Sequence, residues 1–192
     1  DRFSGIDKQP QSFIDVAAPG PHYGDGSGVR GDIIGDTQHH GGNDKAIYAY
    51  AREELDYWQS ELSRPLASGC FGENLTTQGV DLSALLINQR LRIGTAVLEV
   101  SVPRQPCSTF AGWLGERGWL KRWTARGDCG TYLRIISPGR IQPGDCITMD
   151  APPNHDITMR IAFAAKMGNR TLAQRVIEAG CLPAHQHNDL RS

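Results

Sequence analysis

The stretch LRIGTAVLEVSVPRQPC, Leu91 to Cys107, decides how the chain reads. From Leu91 to Val102 apolar residues alternate with small or polar ones at period two, the mark of a half-buried strand. Pro103 and Pro106 end it, which delivers Cys107 at the rim of a sheet. Arg104 gives that sulfur an electropositive setting, in which a thiolate forms more readily. A free cysteine also packs well as a small buried hydrophobe, and the stretch by itself leaves both readings open.

Outward from this strand the pattern is mixed. Upstream, NDKAIYAYAREELDYWQSEL (Asn43 to Leu62) spaces Ile47, Tyr50, Ala51, Leu55 and Trp58 three and four apart, predicting an amphipathic helix capped by Asn43 or Asp44. Before it, SFIDV and RGDIIGD read as short strands around the loop AAPGPHYGDGSG. Downstream, TFAGWLGERGWLKRWTARG predicts one or two short helices, each closed by a glycine. GTYLRIIS and DCITMD read as strands joined by the turn SPGRIQPG, and IAFAAKMG and RTLAQRVIEAG as helices, the latter capped at or just before Thr171. Together these predict an α+β or mostly β barrel domain over residues 1–155 and a C-terminal helical appendage over 156–192.

At 192 residues the chain can bury a core without staples. Lys plus Arg number 20 against 21 Asp plus Glu, so no bulk charge draws it to nucleic acid or a membrane, and an anionic ligand must be met locally. No apolar run approaches the length of a membrane span, and DRFSGIDKQP lacks the form of a signal peptide, which points to a cytoplasmic protein. The sequence begins at Asp1 rather than methionine, which leaves room for an upstream segment. Five cysteines, an odd count and widely spaced, argue for reduced thiols.

Chemistry concentrates in few places. GDTQHHGGNDKAIYAY (residues 35–50) sets His39 and His40 before two glycines, where backbone can approach a ligand and an imidazole can face a cleft; a solvated surface turn is the plain alternative. The helix start expected behind it would offer N–H groups to an anion. CFGENLTT (residues 70–77) clusters Glu73, Asn74, Thr76 and Thr77, for ligand binding or for closing a turn. Lys8 stands alone in GIDKQP. No CxxC, HExxH, P-loop or Rossmann fingerprint is present, and Cys181, His185 and His187 in CLPAHQH make a weak metal motif. Trp113, Trp119 and Trp123 fall near helical periods, which favours packing over stacking on a ligand.

Taken together and in order, GIDKQP, GDTQHHGGNDKAIYAY, FGENLTT, the strand ending in PRQPC, and CSTFAGWLGERGWLKRW resemble the MOSC domain family, named after the C-terminal domain of molybdenum-cofactor sulfurase. The nearest likeness is to its bacterial 6-hydroxylaminopurine-resistance branch. The resemblance covers residues 4 to 125 and implies a β-barrel whose cleft binds a molybdenum cofactor (molybdopterin). Cys107 would be the thiolate ligand to the metal or a carrier of sulfur. Lys8 and His40 would face the same cleft, His40 rather than His39 carrying the motif. Asn74 and Arg104 are further candidates for holding the pterin or its phosphate. Neither zinc nor pyridoxal phosphate is expected.

The activity so implied is reduction of an N-hydroxylated small molecule, with electrons from a partner reductase and no nucleic-acid polymer or membrane involved. His40 would hydrogen-bond the departing oxygen or supply a proton, and Lys8 would neutralise oxo or phosphate charge. Three rivals stand beside it: a non-catalytic carrier of sulfur or cofactor, a metal-free enzyme with Cys107 as nucleophile and His40 as base, and a structural barrel with an inert cysteine. The C-terminal helices are open to docking a reductase, pairing two copies in a homodimer, or capping the barrel.

Overall fold

A computed structural model describes residues 5–35 and 40–191. His39 lies outside the described residues. Eight strands and six α-helices follow in the order β1 (Ile14–Val16), β2 (Ile47–Ala51), α1 (Arg52–Leu62), β3 (Leu75–Thr77), β4 (Arg90–Ile93), β5 (Ala96–Val100), α2 (Ser108–Leu114), α3 (Trp119–Arg126), β6 (Thr131–Ser137), β7 (Gly139–Ile141), β8 (Ile147–Met149), α4 (Met159–Lys166), α5 (Arg170–Ala179) and α6 (Ala184–Asn188) among these residues. Six strands form one sheet, curled as a half-barrel, in the order β3-β2-β6-β5-β4-β8; β1 and β7 make a separate two-stranded ribbon. The fold class is mixed α+β, as the alternation of elements predicts.

The expected helix over Asn43–Leu62 is in fact a strand followed by a helix. Asn43–Lys45 form a single 3-10 turn whose N-cap is Gly42, so neither Asn43 nor Asp44 caps a long helix, and no long helix begins behind the histidine loop. IYAYA is β2, which pairs in parallel with β3 and antiparallel with β6. All five of its residues are buried. A central strand covered on both faces loses its period-two signature, and its apolar run then mimics one face of a helix. The helix starts only at Arg52, where Leu55 and Trp58 turn inward.

The stretch Leu91–Val102 is likewise two strands, not one: β4 and β5 form a hairpin across Gly94 and Thr95. The turn closes tightly enough that a Cβ on Gly94 would sit 2.3 Å from the Arg140 carbonyl oxygen. RGDIIGD makes no strand among the described residues, apart from the bridge of the preceding Val29 to Val16. SPGRIQPG contains β7 rather than turn alone, paired with β1. The two short helices after Cys107 end at Gly115 and Gly127, as expected, and Asn169 caps α5.

One aromatic cluster joins these layers. Trp58, Phe71, Phe110, Trp119 and Trp123 meet mostly edge to face, and Phe163 of α4 continues the series against Trp123 with ring centroids 5.9 Å apart. The tryptophans at 119 and 123 are therefore core, whereas Trp113 is 45% exposed. No helix among the described residues is long and apolar enough to cross a membrane.

Candidate functional site

β5 runs out through Ser101, Val102 and Pro103 to Arg104, all buried, before the chain surfaces at Gln105. Cys107 is half-buried at the head of α2, where its Sγ accepts the Phe110 N–H at 3.4 Å. Arg104 has gone inward: only 7% of it is exposed. Its guanidinium lies 4.6 Å from the Tyr48 ring centroid and 4.3 Å from that of Phe110, and it donates to the Phe71 carbonyl. No carboxylate among the described residues pairs with it. Burial opposes its charge, but Tyr48, Tyr132 and Cys107 outweigh that and hold its pKa above the ordinary value. A guanidinium stays charged at any working pH, so this end of the sheet carries a buried cation held by aromatic faces and a carbonyl.

Tyr132 of β6 closes the other side. Its ring packs against Tyr48 with centroids 5.1 Å apart, and its hydroxyl stands 3.5 Å from His40 Nδ1. Burial raises the pKa of both phenols, which therefore remain neutral and able to donate. Cys107, Arg104, Tyr132 and His40 thus form one connected group.

Lys8 and Asn74 form a second group, joined to the first through Tyr48. Lys8 is not the lone cation its sequence setting suggests, because Nζ pairs with Asp32 Oδ1. The other oxygen of Asp32 accepts from Ser27 Oγ at 2.8 Å and Asn74 Nδ2 at 2.9 Å. Asn74 Oδ1 in turn accepts the Tyr48 N–H at 3.0 Å. Gly69 lets Lys8 dock: its φ is +90°, and a Cβ there would lie 2.0 Å from the Lys8 carbonyl oxygen.

Glu73 organises this loop from within. It is 2% exposed, and its carboxylate accepts the Gly69 N–H at 2.6 Å, the Phe71 N–H at 3.0 Å and the Thr76 hydroxyl at 3.0 Å. Burial raises its pKa, and these donors pull the other way. These bonds close the turn. Glu73→Gln replaces one acceptor oxygen with a donor facing backbone N–H groups, so chemical denaturation is expected to show a loss of about 1–3 kcal/mol.

Sequence reasoning missed Tyr48, Tyr132 and Asp32. Tyr48 was hidden in an apparent helix and Asp32 in an apparent strand; Tyr132 carries no motif at all. The CLPAHQH histidines are engaged elsewhere: His187 Nε2 meets the Ile177 carbonyl at 3.0 Å and His185 meets Tyr23. Among the described residues no three His, Cys, Asp or Glu side chains gather to hold a metal ion.

The chain as a whole is similar to known proteins. The chain is 40% identical over 155 residues to protein YflK of Bacillus subtilis, covering 79% of this chain and 70% of that one. A protein named reductase from Gibberella moniliformis is 31% identical over 135 residues, which is 68% of this chain but only 24% of that much longer one. The crystal structure of YiiM from Geobacillus stearothermophilus superposes with a TM-score of 0.70 at 28% identity over 78% of each chain. The model of the MOSC domain matches residues 36–148, taking in the histidine loop, Asn74, Arg104, Cys107 and Tyr132. With more than half its length inside that match, the chain belongs to the MOSC domain family, which is associated with the molybdenum cofactor.

Proposed function

We propose that the protein is a molybdenum-cofactor-dependent reductase that converts N-hydroxylated small molecules, such as 6-hydroxylaminopurine, to the parent amine. The observation that carries this reading is Arg104, a buried cation held by aromatic faces and one carbonyl, within electrostatic reach of the half-buried Cys107 thiol. Such a cation suits a phosphorylated, anionic ligand, and a soft thiolate suits molybdenum, so the residues present fit the group.

In this proposal Cys107 holds the metal and Arg104 meets the cofactor's negative charge. Lys8 and Asn74 converge on Asp32, so an incoming phosphate competes with that carboxylate for the same donors. When bound, the cofactor supplies the two-electron redox chemistry that cleavage of an N–O bond requires. His40 gives the departing oxygen a proton, and the neutral Tyr132 hydroxyl beside Nδ1 orients its ring. An electron-donating partner reductase delivers the electrons.

The test is purification from a molybdenum-replete host, followed by metal analysis and assay of adenine formed from 6-hydroxylaminopurine with an artificial reductant. Stoichiometric molybdenum and turnover support the reading. Tight cofactor binding without product overturns it in favour of a carrier, and turnover without molybdenum in favour of a metal-free enzyme. His40→Ala is expected to lower kcat by about a hundredfold or more while molybdenum content per chain stays constant. Equal loss of both would make His40 a binding residue.

A further inference from the structure

Helix α6 reaches back to the glycine-rich loop near the N-terminus. The Tyr23 hydroxyl lies 3.0 Å from His185 Nε2, with the rings edge-on and centroids 5.5 Å apart, and it accepts from Gln186 Nε2 at 3.2 Å. Tyr23 thus bridges the two α6 side chains, and the other ring nitrogen of His185, Nδ1, lies 3.9 Å from Asp44 Oδ2. Asp44 is itself gripped by Arg134. Gln186 is 6% exposed, and its carbonyl accepts from Lys166 Nζ of α4 at 3.1 Å, which fixes α6 to the helices behind it.

The far side of Tyr23 faces the candidate site. Lys45 Nζ stands 4.6 Å from the Tyr23 ring centroid and 5.7 Å from that of Tyr132, the residue that meets His40. The loop carrying Tyr23 is also zipped to the histidine loop by backbone: Gly24 N–H donates to the His40 carbonyl at 3.1 Å and Gly42 N–H to the Gly26 carbonyl at 3.0 Å. At Gly42, with φ +76°, a Cβ would lie 2.3 Å from the His22 carbonyl oxygen, so the two backbones touch.

We propose that α6 is a strap that positions His40, with Tyr23 as the joint between strap and loop. Tyr23 and His185 are positioning residues; they act through the histidine loop and not on the reacting atoms. The inference rests on the role given to His40 above, and it assigns the C-terminal helix a part in the chemistry that needs no docked partner.

Amide hydrogen exchange on the full, cofactor-free chain tests it directly. In the double variant His185→Ala/Gln186→Ala, the Gly24 and Gly42 amides are expected to exchange about tenfold faster or more, with β2 amides unchanged. Tyr23→Phe, which keeps the ring and the Lys45 contact but loses both hydrogen bonds, gives the same pattern at smaller amplitude. In the loaded protein kcat falls severalfold, with KM and molybdenum content unchanged. Unaltered rates at Gly24 and Gly42 overturn the strap, as does equal acceleration in β2, which would make α6 part of the folding core. Loss of molybdenum in step with kcat overturns the positioning role. If the parent protein reduces no hydroxylamine, the exchange experiment still decides the strap, and only the reading of His40 falls.

Discussion

Cys107→Ala is expected to bring bound molybdenum to background and abolish reduction while leaving the fold intact. The sulfur is half-buried, and among the described residues it accepts a single hydrogen bond, from the Phe110 N–H at 3.4 Å, a length typical of a weak sulfur acceptor. Losing it removes little packing, so thermal denaturation of the cofactor-free variant is expected to register about 1 kcal/mol or less. A core deletion costs about 3 kcal/mol or more. A loss of that size, with molybdenum still bound, would return Cys107 to the interior and end the reductase reading. Cys107→Ser separates size from softness, since it preserves the cap but replaces thiolate with a hard hydroxyl.

The second large effect is a trade between stability and binding. In Arg104→Met, retained cofactor is expected to fall about tenfold or more, yet the empty chain should unfold at a temperature no lower than the parent's. A buried guanidinium forfeits hydration worth several kcal/mol. Its contacts with the Tyr48 and Phe110 rings return about 1–2 kcal/mol each, and the bond to the Phe71 carbonyl a similar amount. No carboxylate among the described residues closes the difference, whereas methionine fills a comparable volume without a charge to bury. Under the proposed function, that cost is offset by the anion Arg104 would hold. Calorimetry of cofactor-free protein checks the first half and metal analysis the second; a large fall in stability would make Arg104 a structural strut.

Part of this candidate site is legible in the sequence. Cys107 falls where a strand ends in prolines, and the strand's alternation places that end at a rim. The bond between Asn74 and the Tyr48 N–H was not legible, because it depends on β3 lying parallel to β2, and no local pattern reveals which strands become neighbours. The reading of Lys8 as solitary failed for the same reason: its partner Asp32 is 24 residues away, in a stretch with no motif. Arg104 was found, but its burial was not, since sequence favours an exposed arginine unless a partner is known. The error over IYAYA is instructive in another way. Periodicity reports how many faces are covered rather than which element is present, and a fully covered strand followed directly by a helix gives one continuous helical signal.

The cage around Arg104 has a consequence for biogenesis. Tyr48 and the Phe71 carbonyl are supplied by stretches far upstream of Arg104, whereas the Phe110 and Trp123 rings follow it in the two helices directly after, so the cage is complete only once the upstream strand and loop have docked. A nascent or half-collapsed chain therefore lacks this cage. Under the proposed function, cofactor insertion would follow folding, and cofactor supply would set how many molecules are active rather than how many fold.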